Sequence, residues 1–229
     1  KTAFLSLSDM GKALPSYEEI PIACEMDEAV ETEYKRIEHK LVQVLRSDRR
    51  AAQKILSAYL NLLTVYPDQP YDQKPILYPD SDVPIVEPEN MGNTDTLGEK
   101  ELRTLEIVKA AIQNGERALI YTSWVRTDSQ QKLKKLLTDE GYRTEILTDK
   151  IKTTDREDWV QKKLASGMQV LIVNPSLVET GLDLNAFTTL VFYSMGYKLF
   201  TLRQASRRSW RINQKASAVK VYMLYYEDT

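Results

Sequence analysis

A chain of 229 residues, 42% hydrophobic and 28% charged, has the makeup of an ordinary soluble globular protein, large enough for one domain with a helical appendage. No apolar run approaches the roughly 18–20 residues of a membrane span. Lys1 to Leu14 lacks the apolar core of a signal peptide, so no membrane partner is expected. Cys24 is the sole cysteine, which excludes an intrachain disulfide and a cysteine zinc site. It fits a reducing compartment, a cytoplasm of bacterial type, with a nucleus left open. The abrupt ends at Lys1 and Thr229 read as the boundaries of a piece of a longer polypeptide. The net charge of −2 conceals an asymmetry. Residues 1–100 carry 11 basic and 18 acidic side chains, or −7, and residues 101–229 carry 20 and 15, or +5. A basic C-terminal part points mildly to a phosphate-rich partner; a solvated charged surface is the plainer reading.

In chain order, Ile20–Met26 reads as a short strand. Asp27 then caps a helix running to about Arg46, with Ala29, Val30, Tyr34, Ile37, Leu41, Val44 and Leu45 along one face. A second helix spans about Asp48 to Val65, with Ile55, Leu56, Tyr59, Leu60 and Leu63 on its apolar side. Six prolines between Pro67 and Pro88 forbid regular helix or central strand, so residues 66–96 read as an irregular surface connector. From Leu97 the pattern changes. A helix over 98–114 ends at Gly115, a natural C-terminal stop. Apolar runs follow at Ala118–Ser123, Arg143–Thr148, Gln169–Asn174, Thr188–Ser194 and Ala218–Tyr226. Helices over about 127–140, 154–166 and 199–211 separate them. Such alternation predicts an α/β fold with a mostly parallel central sheet and helices on both faces. The expected organisation is therefore a first part, 1–96, made of a lead-in strand, a helical protrusion at about 27–65 and the Pro-rich connector, and a second, α/β part over 97–229. Ligands of such sheets gather at the carboxyl ends of the strands. That rule singles out Ser123–Trp124, Asn174–Leu184, Ser194–Gly196 and the segment Arg203–Arg211.

Absences narrow the chemistry. None of the eight glycines forms GxxxxGK[ST]: Gly11-Lys12 precedes Ala13 and lacks the upstream glycine. Asp27-Glu28-Ala29-Val30 imitates a magnesium-binding acidic box, but the cap and first turn of a helix is the plainer reading. His39 is the sole histidine and sits mid-helix. Neither GxSxG nor HExxH occurs, and no dense carboxylate cluster suggests a metal site. A self-contained hydrolase is not expected.

The stretch Arg203-Gln204-Ala205-Ser206-Arg207-Arg208-Ser209-Trp210-Arg211-Ile212-Asn213-Gln214 places four arginines in nine positions of an expected helix. Gln204, Arg208 and Arg211 then share one face. Guanidinium suits a phosphoryl transition state because it is planar, permanently charged and bidentate. A basic surface helix or an internal ion-pair network would also account for the arginines.

These residues resemble motif VI of the Swi/Snf-type ATPases of helicase superfamily 2, whose pattern is QAxxRxxRIGQ. Gln204, Ala205, Arg208, Arg211, Ile212 and Gln214 match it, and Asn213 replaces a glycine. Other motifs follow in order. Ala118–Trp124 resembles motif IV. Gly141-Tyr142 and Arg156 fall where the family has similar residues, whereas Asp149-Lys150 departs from its Asp-Gly. Val170–Val173 followed by Glu179-Thr180-Gly181-Leu182-Asp183-Leu184 resembles motif V, GxGLNL, with Asp183 in place of asparagine and Glu179 in place of glycine. Leu97–Lys100 resembles the segment leading into the second lobe. Met26–Ile37 and Ile55–Pro67 resemble the preceding helices, without the latter's usual arginine and histidine.

The resemblance implies a RecA-like C-terminal lobe. It would lend Arg211 as arginine finger and Arg208 as its companion, with Gln204, Gly181 and Asp183 at the nucleotide and lobe interface. Ser123, Trp124, Ser176 and Thr180 would grip one DNA strand, helped by the amides of a helix begun by Pro175. Against that, capping is an equal reading of Ser176 and Thr180, core packing is favoured for Trp124, and packing under the arginine segment for Trp210. ATP and Mg2+ would be held mainly by an N-terminal P-loop lobe absent from this chain, which alone would bind no cofactor and hydrolyse nothing. Double-stranded DNA and that lobe are the implied partners; the sequence leaves the oligomeric state open. A stand-alone nucleic-acid-binding domain and the C-terminal half of a restriction-type motor remain as alternatives. A nucleotide-sugar Rossmann enzyme is disfavoured for want of a Gly-rich first turn.

Overall fold

The computed structural model describes residues 14–123, 129–178, 181–196, 199–211 and 214–227, with backbone alone at 199–202. Two compact units divide the chain: residues 1–23 with 102–225, and residues 24–101 with 226–229.

The first unit is built on a six-stranded sheet in the order β1-β8-β7-β4-β6-β5. Its strands are β1 (Ser16–Cys24), β4 (Ala118–Thr122), β5 (Thr144–Leu147), β6 (Val170–Val173), β7 (Thr189–Ser194) and β8 (Ala218–Tyr226). The pairs β5·β6, β6·β4, β4·β7 and β7·β8 are all parallel. Every residue of β4, β6 and β7 is buried, as a sheet covered on both faces demands, which is why their sequences read as unbroken apolar runs. The helices α3 (Glu99–Gln113), α4 (Ser129–Asp139), α5 (Arg156–Ala165) and α6 (Leu199–Ser206) accompany the strands, although α3 up to Glu101 belongs to the second unit. Leu119, Leu171, Val173, Phe187, Leu190 and Val221 stand at the centre of one continuous core. The expected mostly parallel α/β architecture is thus observed. Gly115 ends α3 at φ +74°, and Glu116 N–H reaches back to Ala111 C=O at 2.9 Å, the glycine-stopped helix end read from the sequence. The lead-in strand is longer than expected, Ser16–Cys24, and joins the sheet beside β8.

The second unit holds α1 (Glu28–Ser47), α2 (Arg49–Val65) and a small hairpin of β2 (Ile76–Leu77) and β3 (Pro84–Val86). Asp27 caps α1 by accepting from Ala29 N–H at 3.0 Å, which settles the acidic quartet as a helix start. Asp48 caps α2 through Arg50 and Ala51 N–H. The face of α2 is rotated from the expected one. Ala51, Ala52, Ile55, Tyr59 and Leu62 are buried, whereas Leu56 and Leu60 are exposed. The small Ala51 and Ala52 permit close approach, so the packed stripe follows them rather than the leucines. Residues 66–96 are not a plain surface connector. Tyr66 and Tyr71 are buried, and the β2–β3 pair forms with Pro84 at a strand's first position, where its missing N–H is tolerated.

Candidate functional site

In the middle of the sheet, β7, β4 and β6 are neighbours, and their carboxyl ends carry a connected polar network. Asn174 follows β6. Its Nδ2 donates to Thr122 C=O at 3.2 Å and Ser123 C=O at 3.0 Å. Its Oδ1 accepts from Ser176 N–H at 2.9 Å and from the Ser176 hydroxyl at 2.6 Å. Ser123 N–H donates to Ser194 Oγ at 2.9 Å, and the Ser123 hydroxyl donates to Ser194 C=O at 3.0 Å. Gln130 Nε2 donates to the buried Thr122 Oγ1 at 2.8 Å. A Cβ on Gly196 would stand 3.3 Å from the Ser123 side chain, which would have to give by a few tenths of an ångström.

The loop after β6 begins with a single 3₁₀ turn, Pro175–Val178, which Asn174 starts as an Asx turn. Ser176 is therefore not the cap; it leans on one. The turn is too short to present the helix amides expected here, and its Ser176 N–H is already bonded. Arg156 ties the loop to α5, its Nη1 donating to Leu177 C=O at 2.9 Å and its Nε to Ile151 C=O at 3.2 Å. Gly181 has φ +73° with open space around it, so backbone conformation rather than crowding calls for glycine. Asp183 N–H donates to Glu157 Oε2 at 2.9 Å, and Asp183 Oδ1 accepts from Asn185 N–H at 3.0 Å.

The arginine segment does not continue as the helix expected over 199–211. α6 stops at Ser206. Tyr121 Oη donates to Ala205 C=O at 2.9 Å, and the Ser206 hydroxyl donates to Arg203 C=O at 3.0 Å. Buried Ser209 donates to Leu184 C=O at 3.0 Å. These bonds draw off terminal carbonyls and tie the chain to the loop after β6, the usual way serine competes with helix. Burial pushes the Tyr121 phenol far above its ordinary range, which keeps it a neutral donor. Beyond α6 the path folds in short turns, with Arg208 N–H to Ala205 C=O and Trp210 N–H to Arg207 C=O. Gln204, Arg208 and Arg211 thus do not share a helix face. Arg208 and Arg211 are half-buried, and Arg203 and Arg207 are exposed.

Arg211 Nη2 reaches Leu182 C=O at 3.4 Å, between Gly181 and Asp183. Gln214 Nε2 donates to Asn185 C=O and Ser209 C=O, both at 2.9 Å. The two loops are therefore one structural body. Trp210 packs rather than reaching outward: its Nε1 donates to Pro15 C=O at 2.8 Å, and its ring lies 5.1 Å from that of Tyr17. Gln204 is half-buried at the last turn of α6. Trp124, Glu179, Thr180, Ile212 and Asn213 lie outside the described residues. Among the described residues no three His, Cys, Asp or Glu side chains gather as a metal site, and no helix is long and apolar enough to cross a membrane. His39 is exposed.

The structure brings Arg211 beside the Gly181–Asp183 loop. The strand-end rule singles out the segments that begin with Asn174 and Ser194, but assigns no role to either side chain or to Gln130. An asparagine directly after a four-residue apolar run and before Pro-Ser is a turn signal that could have drawn attention to Asn174.

Residues 100–213 match the helicase conserved C-terminal domain. No curated protein matches the chain by sequence. Among solved structures it is similar to the C-terminal part of the Fun30 ATPase domain, at TM-score 0.71 and 14% identity, covering 94% of this chain and 86% of that one. It is similar to the Sulfolobus solfataricus SWI2/SNF2 ATPase C-terminal domain, at TM-score 0.64 and 17% identity, over 93% and 81%. The S. solfataricus SWI2/SNF2 ATPase core in complex with dsDNA gives 0.68 and 19%, over 93% of this chain and 41% of that one, so this chain spans about two fifths of that core. Residues 100–213 therefore belong to the helicase conserved C-terminal domain family, in a chain with the fold of the C-terminal lobe of the Swi2/Snf2 ATPases.

Proposed function

We propose that this chain is the second lobe of a DNA-dependent ATPase that moves along duplex DNA, completed by a P-loop lobe elsewhere in the polypeptide. The observation that carries the reading is the attachment of the arginine segment to the loop after β6, with Arg211 against Leu182 C=O and Gln214 against Asn185 C=O. Two half-buried guanidiniums beside a left-handed glycine loop suit a triphosphate, the chemistry an arginine finger needs. ATP, held with Mg2+ by the other lobe, supplies the phosphoryl group. Arg211 neutralises the charge that develops as that group leaves for water, and Arg208 supports it. The network under them fixes their approach. The fragment alone hydrolyses nothing because it has no P-loop.

Ser123 and Ser176 line the proposed path of one DNA strand. Each hydroxyl now donates within the protein, so a phosphate contact exchanges one hydrogen bond for another and favours the bound state by only about 1 kcal/mol each. Such contacts position the duplex without reading bases.

The test is ATP turnover by the full-length protein, with and without duplex DNA, for the natural sequence and Arg211→Ala. DNA-stimulated turnover should fall at least about a hundredfold, with ATP still bound. An unchanged rate would make Arg211 structural and leave a passive nucleic-acid-binding domain as the better reading.

A further inference from the structure

The Asn174 side chain connects the two hydroxyl-bearing segments at the strand ends. Its orientation is unambiguous. Nδ2 faces two carbonyls, Thr122 and Ser123, which can only accept. Oδ1 faces a backbone N–H and a hydroxyl of Ser176, which donate. A flipped amide would set like against like at three of the four contacts, the Ser176 hydroxyl alone being able to accept instead. The residue is 8% exposed, and its amide spends both donor hydrogens and its oxygen in this way. It spans two strands that are already paired in register, since Tyr121 lies opposite Val173. The sheet therefore needs no further bond here to fix its pairing. What Asn174 adds is a set distance between the end of β4 and the 175–178 turn.

Backbone phosphates of one strand recur at a fixed spacing, so two hydroxyls can engage adjacent phosphates only if their own separation is held. We infer that Asn174 is a positioning residue for strand binding: its amide braces the end of β4 against the 175–178 turn, so that Ser123 and Ser176 meet one nucleic-acid strand together. This inference rests on the reading of those serines as phosphate contacts.

Two variants separate the halves of the brace. Asn174→Asp keeps an oxygen for Ser176 but turns an oxygen toward the Thr122 and Ser123 carbonyls. Asn174→Ala removes both halves. In the full-length protein, ATP turnover measured against duplex DNA concentration gives the KM for DNA and the kcat at saturation. Both variants should raise that KM about tenfold, the loss of roughly one hydrogen bond's worth of binding, while kcat stays within about twofold. Thermal unfolding of the same samples reports any loss of folded protein. If Asn174→Asp keeps the natural KM, Asn174 only starts the turn and the brace is wrong. If kcat falls in step with folded protein and KM holds, its role is merely structural and the inference fails. The double variant Ser123→Ala, Ser176→Ala tells the two ideas apart. A raised KM there beside a natural one in Asn174→Asp sinks the brace alone. A natural KM in the double variant sinks the strand-contact reading and the brace with it.

Discussion

Four of the five buried charged side chains among the described residues, Glu33, Asp68, Lys100 and Glu101, lie in the helical unit; Lys132 is the one in the sheet unit. The polar groups buried in the sheet unit are otherwise neutral and cluster near strand ends, as Thr122, Gln130, Asn174, Ser194 and Ser209 do. The difference follows from how much apolar surface each fold can cover. A parallel sheet buries both faces of β4, β6 and β7 and closes a core without charge. Two helices and a two-stranded hairpin have less to bury, and there ion pairs complete the interior. The sheet unit keeps its arginines at the surface or half-buried, where an outside anion can reach them; the helical unit exposes its arginines too, and differs in drawing four other charged side chains into its interior.

The most severe test of that contrast is at Lys100. Its Nζ lies 3.0 Å from Asp68 Oδ1 and 4.2 Å from the centre of the Tyr226 ring, and both ion-pair side chains are nearly excluded from water. Asp68→Ala removes the carboxylate and leaves the ammonium desolvated, which should cost about 3–5 kcal/mol in denaturant unfolding. Replacing both partners by apolar residues, Asp68→Leu with Lys100→Met, should recover most of that loss. If the double variant is as unstable as the single one, the pair does more than fill the interior.

Next in size is Glu33, which joins α1 to the connector. It accepts from Arg36 Nε at 2.6 Å, from Arg36 Nη2 at 2.7 Å and from Glu89 N–H at 2.8 Å, and Arg36 Nη2 also reaches Glu87 C=O at 2.7 Å. Burial alone would raise the Glu33 carboxyl, but the Arg36 fork and the Glu89 amide outweigh it and hold it below the ordinary carboxylate range. A depressed folded value stabilises the protein above the unfolded value, about 4.3, and that stabilisation is lost as pH falls through the folded value. Glu33→Gln should cost about 1.5–3 kcal/mol near neutrality. The gap between natural and variant unfolding midpoints should narrow as pH drops below about 4. A gap independent of pH would mean that shape, not charge, makes the staple.

The same contrast explains what the sequence made legible. Unbroken apolar runs located β4, β6 and β7 within a residue or two, because burial on both faces leaves no other pattern; β5 and β8, only partly buried, were placed by the strand–helix alternation around them. Asp27 and Gly115 marked helix ends because their local chemistry suffices. The errors fall where distant partners decide. α6 ends early because Tyr121 and Leu184, remote in sequence, bond the Ala205 carbonyl and Ser209. The α2 face turns toward Ala51 and Ala52 because helix packing rewards close approach over bulk. At the site, Arg211 and Asp183 were visible as residue types at motif spacing, but the tie between their loops through Gln214 is a tertiary fact. Asn174 heads a segment that the strand-end rule singles out, but its bonds to Thr122 and Ser123, some fifty residues away, are tertiary facts as well.

The smallest expected effect probes whether neutral hydrogen bonds really hold the arginine segment. Trp210 sits between Arg208 and Arg211, with its N–H on Pro15 C=O at 2.8 Å and its ring beside Tyr17. Arg207 lies over the same ring, 5.8 Å from its centre. Trp210→Phe keeps an aromatic against Tyr17 and deletes the N–H, so Pro15 C=O loses that donor. Stability should fall by about 1 kcal/mol, a shift small enough to leave the fold intact. If the bond only adds stability, turnover by the full-length protein is unchanged once folded protein is matched. If the strand that begins at Ser16 sets the approach of Arg211, kcat falls several-fold while KM for ATP holds, because the ground-state contacts survive and the transition-state contact is misplaced. That split would show the arginine segment to be positioned from the amino-terminal side of the chain as well as from the loop after β6.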